Sequence, residues 1–371
     1  MQLPKPPTTV QSDPQEITLP VRGNNILIDR VLIIGHGSIG KRHLRLAKEL
    51  LPSADIRILR HKECTVIPEH ANGCFSSLDQ ALLFAPHIAI IANPAPCHLS
   101  MARALAQAGA HLLVEKPLSV SSVGVLPFLE ICRNRGTILL IGYNLRFLPS
   151  LQRFYTLIKE NVIGKVLSVR CEIGQYLPSW RPDSDYRNSV SARQELGGGA
   201  LLELSHELDY LRWIFGEIAW VKATLCRQSN LEIDVEDTAH LTMGFAPAED
   251  CRQLIGTVSM DFIRHDTTRL CVAIGEKGSL RWDGLKGLVE CFEPGNKEWR
   301  ELFSHQHQRD DSYLAEWRHF LNCISEQKTP MITGEDGLKV LQLIDAARQA
   351  SISGDKVYLA RLATTVEKDV L

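Results

Sequence analysis

No stretch of this 371-residue chain approaches the roughly 20 consecutive apolar residues that cross a bilayer. The N-terminus, MQLPKPPTTVQSDPQEITLP, also lacks the apolar core of a signal peptide. Membrane insertion and secretion are therefore not expected, and a cytoplasmic location is. Charge of one sign is missing too, since 41 Lys and Arg stand against 43 Asp and Glu for a formal net charge of -2. Without a long-range field to attract a polyanion, nucleic acid is not an expected partner. The ten cysteines are scattered singly, with no C-x-x-C pair, and H-E-x-x-H does not occur. Neither a disulfide-stapled scaffold nor a zinc site follows from such spacing, so thiols and no metal are expected. What remains is ordinary globular composition, 44% hydrophobic and 23% charged, in a chain long enough for two domains.

Residues 1–25 are rich in Pro, Thr, Ser and Asp and read as a flexible tail. At Ile26 the texture changes to ILIDRVLIIG, a glycine turn, and KRHLRLAKELL with helical apolar spacing. The strands DIRILR, HIAIIA, HLLVEKP and TILLIGY then alternate with the helical segments HLSMARALAQAG and VLPFLEICRNRG. Continuous apolar strands between amphipathic helices imply a parallel sheet covered on both faces, an α/β Rossmann domain over 26–144. From residue 145 the rhythm alters. One helix, SLQRFYTLIKENVIG, precedes the long strands KVLSVRCEIGQY, WVKATLCRQ, DTAHLTMGF, QLIGTVSMDF and RLCVAIGEKGSLRWDG. Consecutive strands of this kind predict an α+β domain over 145–371 with a large, mostly antiparallel open sheet. The helix EDGLKVLQLIDAARQAS near the C-terminus is expected to return to the Rossmann domain.

Gly35-His36-Gly37-Ser38-Ile39-Gly40 is a G-x-G-x-x-G that follows a hydrophobic strand and opens a helix. In that setting the first glycine makes the tight turn, the second lets the backbone approach a pyrophosphate, and the third lets helix and strand pack closely. The helix N-terminus adds free N–H groups and about half a positive charge. The competing reading is a purely structural turn. Where an NAD-specific site carries an acid, at the end of the second strand, this chain has Arg60, His61 and Lys62. NADP is thereby favoured. A solvated basic loop with NAD held by other contacts stays open.

Further along stand Asn93-Pro94-Ala95-Pro96-Cys97-His98, Glu115-Lys116-Pro117, Gly142-Tyr143-Asn144-Leu145-Arg146-Phe147 and the run from Gly197 to Asp209, GGGALLELSHELD. In order and spacing these motifs resemble the Gfo/Idh/MocA oxidoreductases, particularly members linked to surface-sugar and nonulosonic-acid pathways. The resemblance implies a Rossmann domain, a second domain whose open sheet supports substrate binding and subunit pairing as a dimer or tetramer, and cofactor contacts from Ser38, Ile39, Asn93, Pro94, His98, Glu115 and Asn144. It also implies Lys116 beside the nicotinamide, His206 facing it across the substrate, and Tyr143 and Arg146 near that substrate. Oxidising a carbinol requires moving a proton as well as a hydride, and Lys116 and His206 are the groups able to do so. On one continuous helix Glu203, His206 and Asp209 share a face, where carboxylates could orient the imidazole; a helix cap with solvated charges is the plainer alternative. Many family members carry Asp four residues before this His, and here that position is Leu202.

Between these motifs a Pro-containing loop holds Trp180, Arg181, Tyr186 and Arg187. Aromatic faces suit sugar C–H surfaces and guanidinium suits an anionic group, although a surface loop anchored by Trp180 has the same composition. A nucleotide sugar or amino sugar is the expected substrate, with sugar acids, inositols and polyols as alternatives. Two other functions remain open: an enzyme using transient oxidation by tightly bound cofactor for elimination or glycoside cleavage, and a non-catalytic dinucleotide-binding regulator.

Overall fold

The computed structural model describes residues 28–61, 66–180, 182–247 and 253–359. The predicted tail, Lys62 and Arg181 lie outside these residues. The first sheet is built from β1 (Arg30–Ile34), β2 (Asp55–Leu59), β3 (Gly73–Phe75), β4 (Ile88–Ile91), β5 (His111–Glu115) and β6 (Leu139–Gly142), ordered β3-β2-β1-β4-β5-β6. Every pairing is parallel. The residues of β4, and all of β1 but the first, are buried, as strands covered on both faces must be. The layers on its faces come from α1 (Ser38–Leu50), α2 (Leu78–Leu83), α3 (His98–Gln107) and α4 (Val125–Arg135). The strand order reverses between β1 and β4, which is where open α/β sheets bind ligands, at the carboxyl ends of the strands.

After α5 (Pro149–Lys159) the chain enters a nine-stranded sheet. In chain order this uses β7 (Val166–Gly174), then α6 (Ala200–Glu203) and α7 (His206–Phe215), then β8 (Ile218–Cys226), β9 (Thr238–Phe245), β10 (Ile255–Asp261), β11 (Thr268–Gly275), β12 (Gly278–Asp283), β13 (Leu288–Phe292) and β14 (Arg300–Ser304). Helices α8 (Asp311–Glu326) and α9 (Gly334–Ser353) lead to a short edge strand β15 (Val357–Tyr358). The order is β14-β13-β12-β11-β7-β10-β9-β8-β15, antiparallel except where β10 runs parallel to β7. The fold class predicted from the alternation of apolar runs is the one observed.

Helix α9 touches both sheets. A Cβ at Gly337 would sit 3.2 Å from Ile141 and Leu118 of the first layer system, while Ser351 accepts a hydrogen bond from the Leu225 backbone on β8. Seven described cysteines are free thiols, five of them buried. Cys74 departs from that expectation, being disulfide-bonded.

The segment GGGALLELSHELD is not one helix. It breaks at Leu204 and Ser205 into α6 and α7, so the expected shared face of Glu203, His206 and Asp209 does not form.

Candidate cofactor and active site

The glycine loop takes the conformation its residues were predicted to need. Gly35 has φ 94°, and a Cβ there would lie 2.6 Å from the Ala92 carbonyl oxygen; its N–H donates to Leu59 O at 2.9 Å. A Cβ on Gly40 would overlap the Gly35 carbonyl oxygen, so this glycine permits the close contact of α1 with β1. Gly37 differs. Its backbone is extended, and a Cβ there would meet nothing within 4 Å. The α1 N-terminus beyond it has no side-chain cap and no acid in its first turn, leaving N–H groups free for an anion.

A cleft of about 490 Å³ opens over this loop. Gly35, Gly37, Ser38 and Ile39 line it from the glycine turn, Asn93, Pro94 and His98 from beyond β4, and Glu115 and Lys116 from the end of β5. The Asn93 Oδ1 is buried without a hydrogen-bond partner, as a group awaiting a ligand donor would be. His98 faces two carbonyl oxygens, Pro117 O at 2.8 Å and Asn93 O at 2.7 Å; burial holds its pKa below the usual value, and the neutral ring donates to one of them. Free helix N–H groups, open space at Gly37 and unpaired polar atoms together fit a dinucleotide.

A second hollow of about 510 Å³ shares His36, Ser38 and Arg42 with the cleft. Lys41 lies here without an acidic partner among the described residues, whereas Arg42 and Arg45 both pair with Asp310. Burial first, then the charges of Lys41 and Arg60, lower the His36 pKa, which puts two cations around the second residue of the glycine motif. His61 is exposed on the surface.

Lys116, which lines the cleft, stands close enough to His206 for its charge to act on the ring, although His206 is not itself among the residues lining the cleft. The Lys116 Nζ donates to Glu203 O at 2.6 Å and stands 3.9 Å from Glu203 Oε1. Glu203 Oε2 accepts from the Ser191 hydroxyl at 2.8 Å. Burial, followed by the charges of Lys116 and Arg269, holds His206 well below the usual histidine value, so the ring is neutral, and its Nδ1 is buried without a partner. Tyr143 packs edge-on against it, centroids 5.6 Å apart, with its hydroxyl 3.4 Å from Ser205 Oγ.

Several expected assignments need correction. Asp209 does not orient His206: it makes a bidentate ion pair with Arg146, Nε to Oδ2 at 2.8 Å and Nη2 to Oδ1 at 2.6 Å. Both are almost fully buried, so Arg146 is not open to a substrate, because its charge is already neutralised inside the core. Tyr143 is likewise fully buried and supports the imidazole from behind. Asn144 is buried too, and its amide donates to Ser312 Oγ at 2.9 Å, tying the turn after β6 to α8 instead of facing the cleft. In the Pro-containing loop the Trp180 indole donates to Gln175 O at 3.2 Å and its ring packs on Phe262, which is the anchoring alternative. Arg187 is paired with Asp185 and Glu232, and the Tyr186 hydroxyl accepts from the Glu232 N–H. Acids of the same loop and of 232 thus take up the Arg187 guanidinium.

Residues 30–143 match the pattern described as "Oxidoreductase family, NAD-binding Rossmann fold", and residues 156–359 match "Oxidoreductase family, C-terminal alpha/beta domain", the two halves of one family. The chain belongs to the Gfo/Idh/MocA oxidoreductases. Uncharacterized oxidoreductase YrbE of Bacillus subtilis is 26% identical over 345 residues, 88% of this chain and 95% of that protein. A levoglucosan dehydrogenase in complex with NADH has the same fold, with a TM-score of 0.78 at 21% identity, covering 90% of this chain and 99% of the other. So does the WlbA dehydrogenase from Bordetella pertussis in complex with NADH and UDP-GlcNAcA, with a TM-score of 0.72 at 21% identity over 90% and 99% of the two chains. As a Gfo/Idh/MocA protein, this chain is an NAD(P)-binding oxidoreductase.

Within that family its departure at Leu202 has a structural explanation. Leu202 is 2% exposed and belongs to the core, and the polar position beside Lys116 is filled from Glu203 instead. Two buried pairs escaped sequence reasoning. Glu207, fully buried, holds Arg269 of β11 at 2.8 Å, bringing that cation toward His206. His43 of α1 bonds Glu115; a histidine three residues after Gly40, on the apolar face of the helix, was the available signal.

Proposed function

We propose that this chain is an NAD(P)-dependent dehydrogenase or ketoreductase acting on a secondary alcohol or ketone of a sugar, amino sugar or nucleotide sugar, working in the cytoplasm as a homo-oligomer. The observation that carries the reading is a lysine ammonium lining the cleft from the first sheet whose charge acts on a neutral imidazole from the second domain. A bound nicotinamide supplies the carbon that takes or gives hydride. The chain's own residues handle the rest. Neutral His206 accepts the hydroxyl proton of an alcohol, or returns it to a ketone oxygen. Lys116 donates a hydrogen bond to the same oxygen as its charge changes. The Glu203 carbonyl and carboxylate fix where that ammonium points.

Arg60 and His61 directly after β2, with the charges of Lys41 and Arg60 acting on His36, support NADP as the preferred cofactor. The sugar class is supported by what the relatives bind, levoglucosan in one and UDP-GlcNAcA in another. Screening sugars and nucleotide sugars for reduction of NADP+ and NAD+ at 340 nm tests both points, with NADP+ expected to give the lower KM. A K116A variant should keep its cofactor affinity and lose about 100-fold or more in turnover, the range of general acid–base catalysis. Unchanged turnover in K116A, or no sugar oxidised with either cofactor, would refute the proposal.

A further inference from the structure

Glu115 closes β5 immediately before Lys116 and lines the cleft, yet it is 8% exposed. A carboxylate so enclosed needs donors, and two are present: His43 Nε2 at 2.8 Å from Oε1 and the Lys116 backbone N–H at 3.2 Å from Oε2. The first is fixed in direction by a third residue. The Trp317 indole, which can only donate, bonds His43 Nδ1 at 2.9 Å. Nδ1 must therefore accept, the ring proton must sit on Nε2, and Glu115 must accept it. His43 and Trp317 are both fully buried, on α1 and α8. Neighbouring Gly142 leaves the carboxylate its room, because a Cβ there would press within 3.1 Å of Glu115 Oε2.

Both donors are neutral, so the hydrogen bonds hold the charge in place without cancelling it. The Lys116 ammonium is turned to Glu203 instead. A second carboxyl nearby, Glu316, is fully buried with neither oxygen partnered. Burial first, and then the charge of Glu115, push its pKa well above the usual value, so this neighbour stays a neutral acid. Apart from His43, Glu115 has no ion-pair partner among the described residues, so its carboxylate faces the cleft beside Lys116 without a cation of its own.

We infer that Glu115, aligned by the Trp317–His43 chain, is an electrostatic positioning residue that selects the oxidised, cationic nicotinamide over the reduced, neutral one and so biases the enzyme toward oxidation of its substrate. The inference rests on the reading above that the nicotinamide lies beside Lys116. A merely structural Glu115 would weaken both redox forms alike, whereas a charge acts only on the form that carries one.

Titrating the purified full-length chain with NADP+ and NADPH, by calorimetry or fluorescence, measures the ratio of the two dissociation constants without any substrate. E115Q should raise the oxidised-to-reduced ratio about tenfold, an effect of the size one partly screened charge exerts, and E115D, which keeps the charge, should retain the wild-type ratio. Should E115Q fail to fold, H43F removes the aligning donor and should move the ratio the same way by about threefold. A ratio unmoved in whichever of these variants folds, with both forms still bound, would overturn this inference alone. If the wild-type chain bound neither form, the proposed function would fall with it.

Discussion

Alanine at Gly37 and alanine at Gly40 should separate binding from folding in opposite ways. At Gly40 a Cβ would overlap the Gly35 carbonyl oxygen and stand 2.9 Å from its carbon. Gly35 cannot retreat easily, because its N–H is bonded to Leu59 O and the space beside it is so small that a Cβ there would lie 2.6 Å from the Ala92 carbonyl oxygen. Overpacking against rigid backbone costs up to about 3 kcal/mol, and replacing glycine inside a helix returns about 1 kcal/mol. The net expectation for G40A is a loss of about 2 kcal/mol of stability. At Gly37 the backbone is already at φ -72°, ψ -172°, and the added methyl meets nothing within 4 Å. G37A should therefore unfold within about 0.5 kcal/mol of wild type. Its methyl would nevertheless occupy the space where a pyrophosphate approaches the loop, so cofactor affinity should fall at least about tenfold, or 1.4 kcal/mol. Urea unfolding followed by circular dichroism reads the first quantity and cofactor titration the second. A G37A protein that binds NADP+ as well as wild type would mean that the glycine turn is only structural. A G40A protein of unchanged stability would refute the packing argument.

Two further expectations concern buried charge. R146M leaves Asp209 without its partner in the core and should cost about 3–5 kcal/mol in urea unfolding without a selective rise in substrate KM; a cost below about 1 kcal/mol, the value of an exposed pair, would contradict the burial. His206 is held well below its ordinary 6.5, so in falling pH the unfolded chain takes up a proton at this position before the folded one does. Stability should consequently be level with respect to this group above pH 6.5 and decline below it, by up to about 1.4 kcal/mol per pH unit. In H206Q that share of the acid slope should vanish, and equal slopes in the two proteins would exclude a depressed imidazole.

What could be read along the chain was what depends on neighbours in sequence. The continuous apolar runs of β1 and β4, the glycine spacing from 35 to 40 and the helical period of α1 all act over a few residues, and the Rossmann sheet and the glycine loop lining the cleft follow from them, whereas Lys116 and His206 stood out by the resemblance of their motifs to a family. The helix break at Leu204 and Ser205 was hidden, because three-residue spacing says nothing about whether a helix continues. That break sends Glu203 toward Lys116 and leaves Asp209 to Arg146, 63 residues earlier.

The ion pairs were hidden for a related reason. A sequence shows which side chains carry charge, but partners such as Glu207 and Arg269, or His43 and Trp317, 274 positions apart, are chosen when separate elements pack. Local periodicity determined the two sheets and the loop that can cradle a dinucleotide. Only the tertiary structure decided which charges are neutralised in the core and which, like Glu115, remain facing the cleft, because burial and pairing are properties of the assembled layers.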